Sequence, residues 1–258
     1  LVYVRESMEK PDLYWLNNVE GPRSLLEAMR DTKIRHLIFS SSCATYGVPP
    51  VLPISLDSIQ RPINPYGHTK LACEWLIKDL APTLNLSFTL LRYFNVAGSD
   101  PELEIGEVHE PETHIIPAIL LKMLGTNNDP LKIYGRTHPT PDGTCVRDFV
   151  HVADLARVHL HALDYLESGR PSRAFNVGLG RGTSINELLA TCQDVTGVGV
   201  DPVYEPVHPG DPPVLTADPG DTWDQLGLRP LYPDVRQMVQ HSWDWMRLKR
   251  QEWLDAQR

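Results

Sequence analysis

Apolar residues along the 258-residue chain follow two spacings, one typical of helices and one of buried strands. Helical spacing over 11–30 predicts a helix that Gly21-Pro22 kinks or interrupts. Short apolar runs that end in polar residues predict strands at 35–40, 87–95, 132–134, 146–150 and 174–178. Further helices are predicted at 65–80, 115–124, 152–166, 183–195 and 233–253.

This order of elements indicates βαβ units, because strands and helices alternate through the first half and again from Val146. We therefore expect an α/β protein with a mostly parallel sheet. The segments 97–144 and 183–258 are richer in loops and predict a smaller lobe. Ser184 and Glu187 are spaced as a capping box at the start of one of its helices.

The charge of the chain limits its partners. Lysine and arginine number 24 against 33 aspartates and glutamates, which gives a net charge of −9. An acidic chain of this kind is not expected to bind nucleic acid or a membrane surface. An anionic substrate would have to meet a local cluster of positive groups.

The cysteines and histidines predict neither disulfides nor a metal site. Cys43, Cys73, Cys145 and Cys192 are widely spread without a Cys-x-x-Cys pair, so buried free thiols in a reducing compartment are expected. The first residues lack the pattern of a secretory signal, and we expect a cytoplasmic protein. The spacing of His151, His159 and His161 does not put three ligands on one helix face.

Candidate chemistry begins with Tyr66 and Lys70, which are four residues apart and so lie on one helix face. Asn64 can cap that helix, and Pro65 suits its first turn. A fixed positive charge favours a phenolate, so Lys70 is expected to lower the pKa of Tyr66 and make it an acid–base group. The spacing alone is a weak signal, and a half-exposed tyrosine beside a solvated lysine is the alternative.

Several motifs in a fixed order strengthen this interpretation. Ser40-Ser41-Ser42 with Tyr46-Gly47, then the Tyr66–Lys70 pair, then Leu91-Arg92-Tyr93-Phe94-Asn95 resemble the nucleotide-sugar 4-epimerases of the extended short-chain dehydrogenase/reductase family. Other stretches match in the same order, namely 10–19, 111–117, 133–135, 142–152, 175–178 and 209–212. As a set these motifs are specific, whereas each alone is weak.

The resemblance implies a partial Rossmann-like parallel sheet. Residues 1–96 and 145–182 would form the remainder of an NAD-binding domain, and 97–144 and 183–258 the UDP-sugar-binding lobe. Members of the family open with a Gly-x-x-Gly-x-x-Gly turn that this sequence lacks. We expect that about 80 residues with the first strands, roughly two to three βα units, are missing from a longer protein. A naturally truncated chain is the alternative.

The resemblance also implies a reaction and its residues. The family inverts carbon 4 of a UDP-hexose with bound NAD, so the matching positions imply that Tyr66, Lys70 and Ser42 are catalytic. Asn17, Ser40 and Phe94, with Tyr66 and Lys70, would contact NAD. The alternative for the serines is turn capping, for Asn17 a bond within its own helix, and for Phe94 a core position.

The resemblance also implies contacts to the substrate. Tyr93 would lie near the sugar, Asn95 and Arg147 would contact the diphosphate, and six further positions would contact other parts of the UDP-sugar. Those positions are His114, Ile115, Tyr134, His208, Asp211 and Leu215. Val207-His208 stands where the family has two arginines before Pro-Gly-Asp, which weakens the expected hold on the diphosphate. A salt bridge of Arg147 to Asp148 or another acid is the alternative for that residue.

Other functions remain open from the sequence. Leu215, at a position that gates large C2 substituents, suggests tolerance of UDP-N-acetylhexosamines, and a UDP-pentose epimerase is another possibility within the family. A dehydratase is disfavoured because Cys43-Ala44 replaces the acidic pair of those enzymes. A truncated, non-catalytic binding or dimerising module is the alternative outside enzymes. The helices predicted at 11–30 and 65–80 correspond to the family's dimer-forming pair, so a homodimer is expected.

Overall fold

The computed structural model describes residues 1–109, 112–126, 129–208 and 210–256, with side chains up to 250. Pro111 and Pro209, which belong to two of the matched stretches, and the predicted end of the lobe at 257–258 lie outside the described residues. The helices are α1 Val4–Glu9, α2 Pro11–Trp15, α3 Gly21–Arg30, α4 Pro65–Leu84, α5 Ile115–Met123, α6 Val152–Glu167, α7 Ile185–Thr196, α8 Thr222–Gln225 and α9 Val235–Ala256. The strands are β1 His36–Ser42, β2 Ser87–Tyr93, β3 Asn95–Ala97, β4 Lys132–Tyr134, β5 Val146–His151, β6 Arg173–Val177, β7 Gly182–Ser184, β8 Val203–Glu205 and β9 Val214–Leu215.

The chain forms two compact units. Unit 1 contains Leu1–Phe94, Arg157–Gly180 and Leu215–Arg229, and unit 2 contains Asn95–Ala156, Arg181–Val214 and Pro230–Arg258.

These boundaries differ from the predicted ones by two residues at 95–96 and 181–182, and by longer stretches in two places. The stretch 145–156 belongs to unit 2, because β5 pairs with β3 and β7. The stretch 215–229 belongs to unit 1, where Trp223 Nε1 donates to Gly178 O at 3.2 Å.

The sheet of unit 1 is parallel, as the sequence predicts. Strand β2 lies between β1 and β6 and pairs in parallel with both. The register places Ser40 opposite Leu91, Ser42 opposite Tyr93, and Tyr93 opposite Val177. The carboxyl ends of these strands therefore bring the serines of β1 and Tyr93 to one edge, where ligands bind in open α/β sheets.

Helices α3 and α4 cover one face of this sheet. Their buried side chains form a core with those of β2, and each such side chain removed from water contributes about 1.5–3 kcal/mol. The cluster consists of Leu26, Met29, Ile77, Ala81, Leu84, Leu86 and Leu90. This packing fixes the position of α4 and so the position of its first turn.

The predicted interruption of the helix over 11–30 is confirmed, and it has a specific form. A π-helical turn at Leu16–Glu20 separates α2 from α3, and Pro22 lies in the first turn of α3. Proline has no N–H to donate to a carbonyl of the preceding turn. This missing bond accounts for the change from α-helical to π-helical hydrogen bonding before Pro22. Asn18 in the π-helical turn contacts α4, where its Nδ2 donates to Thr69 Oγ1 at 3.3 Å.

Unit 2 combines short strands with helices. Strand β5 pairs in parallel with β3 and antiparallel with β7, and β4 pairs in parallel with β8. The predicted capping box is present, because Ser184 Oγ accepts from Glu187 N and Glu187 Oε2 accepts from Ser184 N. The helix starts at Ile185 rather than 183 because 182–184 form β7. The sequence pattern does not indicate the short elements α1, α8, β8 and β9.

The four cysteines are buried free thiols. Among the described residues, no helix is both long and apolar enough to cross a bilayer.

Candidate active site

Tyr66 lies in the first turn of α4, where the sequence builds a well-defined helix start. Asn64 is the N-cap, and its Oδ1 accepts from Gly67 N at 2.8 Å. Pro65 occupies the first turn, where its missing N–H has no cost. Tyr66 N donates to Ser7 Oγ at 3.2 Å, so the backbone of this turn is also tied to α1. The phenol is thereby held in one place, with the residue only 8% exposed.

Gly67 allows α4 to approach the turn that follows β1. A Cβ at this position would lie 2.5 Å from Ala44 O and 2.9 Å from Pro62 Cβ. Ala44 belongs to the 3₁₀ turn Cys43–Tyr46 directly after Ser42. The absent side chain thus lets Tyr66 and Ser42 come together.

Ser42 lies close enough to Tyr66 that its side chain acts to lower the pKa of the phenol. Ser42 is 7% exposed, and its Oγ also accepts from Ala44 N at 3.1 Å as the cap of the 3₁₀ turn. Ser42 therefore both caps the 3₁₀ turn and lies beside the phenol of Tyr66.

The pKa of Tyr66 is raised in the chain alone, opposite to the lowering expected from Lys70. Burial raises the pKa of Tyr66, and the hydrogen bond from Ser42 only partly opposes this. Lys70 Nζ lies 5.7 Å from the centroid of the Tyr66 ring and donates to Ser40 O at 2.8 Å. Desolvation of the phenolate therefore outweighs the charge of Lys70, whose own pKa is lowered by burial.

Ser40 and Tyr93 extend this group along the sheet edge. Burial raises the pKa of Tyr93, and a hydrogen bond with the Ser40 side chain opposes the rise. Ser40 Oγ also lies 3.2 Å from His159 Nε2, and the Tyr93 and His159 rings are 6.5 Å apart. Ser40 therefore contributes its carbonyl to Lys70 and its hydroxyl to Tyr93 and His159.

Phe94 and Leu215 lie in one apolar cluster of unit 1. Both are buried, at 4% and 7% exposed, beside Cys43, Tyr46 and Ile54. The aromatic residue predicted beside the nicotinamide and the leucine predicted to line the sugar pocket are thus neighbours. The burial of Phe94 also fits the core position named for it as the alternative from the sequence.

Asn17, predicted on the cofactor side, is exposed in the π-helical turn. Its Nδ2 donates to Leu13 O at 2.9 Å, which is the alternative that the sequence left open. The neighbouring Asn18 is the asparagine that contacts α4, and its carbonyl also accepts from Cys73 Sγ at 2.8 Å.

A buried polar network behind Tyr66 is not indicated by the sequence. Glu74 on α4 accepts from Arg92 on β2 through two bonds, Nε–Oε1 at 2.9 Å and Nη2–Oε2 at 2.6 Å. Ser41 Oγ donates to the same carboxylate at 2.6 Å. Arg92 also donates to Tyr46 OH, which donates to Asn176 Oδ1 at 2.7 Å. The sequence motif around Arg92 marks this arginine, but its pairing with Glu74 on α4 is visible only in the structure.

In unit 2, several of the predicted nucleotide contacts lie near one another. The rings of Tyr134 and His208 are 6.1 Å apart in an edge-to-face arrangement. Asp211 N donates to His208 O at 3.2 Å in the turn that carries both residues. An aromatic ring and an imidazole are therefore grouped at the end of β4, and the backbone of Asp211 is bonded to that of His208.

Arg147 and Asn95 lie on paired strands of unit 2. Asn95 begins β3 and pairs with Phe149 of β5, two residues after Arg147. Arg147 Nη1 donates to Val146 O at 2.9 Å, and among the described residues no acid forms an ion pair with it. The salt bridge to Asp148 considered from the sequence is not formed.

His114 and Ile115 lie at the start of α5, where His114 is the N-cap and Ile115 the first helical residue. The His114 side chain contacts the Glu107 carboxylate. This bond raises the pKa of His114, against the effect of burial. The pair expected to contact the substrate is thus tied to a loop carboxylate.

Comparisons with known proteins agree on one family. Residues 2–178 match the family described as the NAD dependent epimerase/dehydratase family. A UDP-glucose 4-epimerase of Lacticaseibacillus casei is 46% identical over 242 residues, which are 94% of this chain and 73% of that protein. A UDP-glucose 4-epimerase from Brucella ovis, solved with NAD, is 45% identical with a TM-score of 0.90, covering 95% of this chain and 75% of the other. That of Bifidobacterium longum, solved with NAD⁺ and UDP, is 30% identical with a TM-score of 0.92, covering 97% and 75%.

Proposed function

The chain belongs to the NAD dependent epimerase/dehydratase family, and we propose that it catalyses NAD-dependent epimerisation at carbon 4 of a UDP-hexose, interconverting UDP-glucose and UDP-galactose. The observation that carries this proposal is the buried phenol of Tyr66, with the buried Ser42 acting on its pKa and Lys70 Nζ 5.7 Å from its ring. Such a group can move a proton at a sugar hydroxyl, which the reaction requires.

The residues around Lys70 fit the nicotinamide riboside end of NAD. Ser40 O is the only hydrogen-bond acceptor of Lys70 Nζ among the described residues, so two of its N–H groups are available for ribose hydroxyls. Phe94, buried in an apolar cluster of unit 1, remains the proposed contact of the nicotinamide ring. When bound, NAD⁺ supplies the hydride acceptor for carbon 4 and the donor for its return.

Tyr66 takes the proton from the 4-hydroxyl as the alcohol is oxidised, and returns it when the 4-keto sugar is reduced on its other face. Ser42 bonds to the phenol and passes the proton between Tyr66 and the sugar oxygen. Because burial raises the pKa of Tyr66, the phenolate needs positive charge nearby. Lys70 and the oxidised nicotinamide are the two sources of that charge.

Recognition of UDP falls to unit 2. Arg147, which no acid neutralises within the described part of the chain, suits a phosphate. Tyr134 and Asp211 suit the uracil and ribose, and Asn95, His114 and Ile115 remain proposed contacts. His208, in place of an arginine, offers a weaker charge to the diphosphate. The proposed sugar contacts are Tyr93 and Leu215 in unit 1. The modest size of Leu215 supports turnover of UDP-N-acetylhexosamines as a second activity.

We also propose a cytoplasmic homodimer. Large apolar side chains on the helices that correspond to the family's dimer-forming pair are exposed, with Leu16 at 63%, Trp75 at 58% and Leu25 at 53%. Four buried free thiols support a reducing compartment.

The test is the conversion of UDP-galactose to UDP-glucose by the whole protein with NAD supplied, followed by NMR of the anomeric protons. Tyr66→Phe is expected to lower kcat by about 10²- to 10⁴-fold, since it removes the acid–base group but keeps the ring. Tyr165→Phe is the matched control, because its hydroxyl donates to Pro171 O away from Ser42 and Lys70.

UDP-N-acetylgalactosamine forms the second arm of the assay. Turnover of UDP-galactose without turnover of the N-acetyl sugar would reject the second activity alone. A folded protein that turns over neither sugar with NAD would instead favour the non-catalytic binding or dimerising module. Full activity in Tyr66→Phe would remove the assigned role of Tyr66.

A further inference from the structure

The loop before α5 gathers two histidines and two glutamates of unit 2. Glu107, His109, Glu112 and His114 each offer one metal-ligating atom, and these four atoms lie within 4.8 Å of one another. We propose that they form a binding site for a divalent transition-metal ion, with Zn²⁺ as the preferred ion. The site shares His114 with the proposed substrate contacts, but metal binding there does not require the epimerase activity.

The donor set suits zinc in number and type. Imidazole nitrogens and carboxylate oxygens bind Zn²⁺ at about 2.0–2.2 Å, so four tetrahedral ligand atoms lie about 3.3 Å apart. His109 Nδ1 is 2.9 Å from Glu107 Oε1 and 3.8 Å from Glu112 Oε1. His114 Nδ1 contacts the same Glu107 oxygen directly. Small side-chain movements within the cluster are therefore enough to surround an ion.

The charges of the cluster favour a cation. The Glu112 side chain is only 9% exposed, and its Oε1 accepts from Thr113 N and His114 N, both at 2.7 Å. Neither Glu112 nor Glu107 pairs with a lysine or arginine among the residues described; their ionic contacts are with the two histidines. A buried carboxylate without a matching cation is costly, and a divalent ion would offset both negative charges.

The backbone holds the ligand segment at both ends. A Cβ on Gly106 would lie 2.2 Å from Trp245 Nε1, so the residue before Glu107 is pressed against α9. At the other end His114 caps α5, and its carbonyl accepts from Ala118 N at 3.0 Å. An ion bound between Glu107 and His114 would join two anchored points, which reduces the ordering cost of binding.

No metal site is expected from the sequence, because the spacing of His151, His159 and His161 does not put three ligands on one helix face. The pattern Glu-x-His followed by Glu-x-His lies in a loop, where spacing along the chain does not report distance. By bridging Glu107 to the cap of α5, the ion would fix the positions of His114 and Ile115.

The test uses the whole protein without an affinity tag, stripped with a chelator, and free of nucleotide. Zn²⁺ is titrated against a chromophoric competitor, and Co²⁺ loading is followed by visible absorption. We expect one Zn²⁺ per chain and the intense Co²⁺ bands of four-coordinate geometry. Absence of stoichiometric Zn²⁺ binding, or weak Co²⁺ bands typical of six oxygen ligands, would overturn the proposal.

A pair of double variants separates the site from general surface charge. His109→Gln/His114→Gln removes two ligands but keeps both carboxylates, and is expected to weaken Zn²⁺ binding by at least about 100-fold. Glu102→Gln/Glu104→Gln, which changes two exposed carboxylates of the same loop, should retain the affinity. Circular dichroism checks that both fold. Equal affinity in the histidine variant, or an equal loss in the glutamine control, would contradict the assignment.

Discussion

Unit 1 and unit 2 bury their ionisable side chains by opposite means. In unit 1, burial alone would raise the pKa of Glu74, but the bonds and charge of Arg92 bring it below its usual value. In unit 2, the fully buried His151 lies 3.0 Å from His241, between Nε2 and Nδ1, and 4.5 Å from the Tyr232 ring. Burial, followed by the charge of His241, lowers the pKa of His151 to about 4.

This difference separates two ways of building a site. An ion pair with two defined bonds fixes α4 on the sheet and so fixes Tyr66, which must meet a proton at hydrogen-bond distance. A neutral imidazole stacked among rings fills space with less directional restraint. The position of Tyr66 in unit 1 thus depends on a buried ion pair, whereas His151 in unit 2 is buried as a neutral ring among other rings.

The largest expected effect comes from breaking the ion pair of unit 1. Glu74→Gln leaves Arg92 buried without its counter-charge and should lower the free energy of unfolding by about 3–5 kcal/mol. Urea denaturation measures this change. Glu27→Gln, which breaks an exposed pair with Arg23, should cost less than about 1 kcal/mol. Similar losses in the two variants would mean that the buried network does not hold α4.

Lys70→Met tests the charge beside Tyr66. Because Lys70 offsets the burial that raises the pKa of the phenol, kcat should fall by about 10²- to 10³-fold. The rise of kcat with pH should also move to higher pH. Steady-state kinetics over a pH series measure both, with Lys70→Arg expected to recover part of the rate and the exposed Lys33→Met as control. An unchanged pH profile would exclude an electrostatic role for Lys70.

The neutral cluster of unit 2 predicts a pH effect of intermediate size. Folded His151 takes up its proton only at about pH 4, whereas its ordinary value is 6.5. The unfolded chain therefore binds more protons between these values, and stability should fall by about 1–3 kcal/mol as pH drops from 6.5 to 4.

Denaturation at several pH values compares the protein with His151→Phe, in which this part of the slope should vanish. The charged and titratable groups that face His151 are His241, Asp154, Asp100 and Tyr232, and they remain in both proteins. An equal slope in the variant would assign the acid sensitivity to other groups.

The smallest expected effect concerns binding. Arg147→Met removes one charge-assisted contact to phosphate, worth about 1.5–3 kcal/mol, so the Kd for UDP should rise by roughly 10- to 100-fold. Calorimetric titration with UDP measures this, and kcat should change little. Arg181→Met removes an exposed arginine of the same unit as a control. A kcat effect equal to the binding effect would place Arg147 nearer the chemistry than proposed.

The sequence predicts the parallel sheet and most helices because their signals are local. Apolar spacing marks β1, β2, β5 and β6 to within two residues, and Ser184 with Glu187 marks the start of α7. It does not predict the boundary between the units, because β5 pairs with β7, a strand more than 30 residues later in the chain. Short elements such as α1 and β8 carry too few residues for a periodic pattern.

The site is predicted in part. The matched motifs name Tyr66 and Ser42, and both side chains are buried in unit 1, while their catalytic roles stay a prediction. The direction of the Tyr66 pKa shift is wrong, since the sequence does not report how deeply a phenol is buried. The bond from Tyr46 to Asn176 spans 130 residues and has no local signal.

Gly67 has a consequence for how the protein can evolve. Its missing Cβ would fall 2.5 Å from Ala44 O, so every other amino acid would push the first turn of α4 away from Ser42. Gly21, with nothing within 4 Å, has room for a side chain. In a library of random variants, Gly67 would thus be among the positions that tolerate the fewest substitutions, although it has no side chain and no part in the chemistry. Related proteins could change their sugar preference through substitutions in the pocket wall, yet position 67 would have to remain glycine.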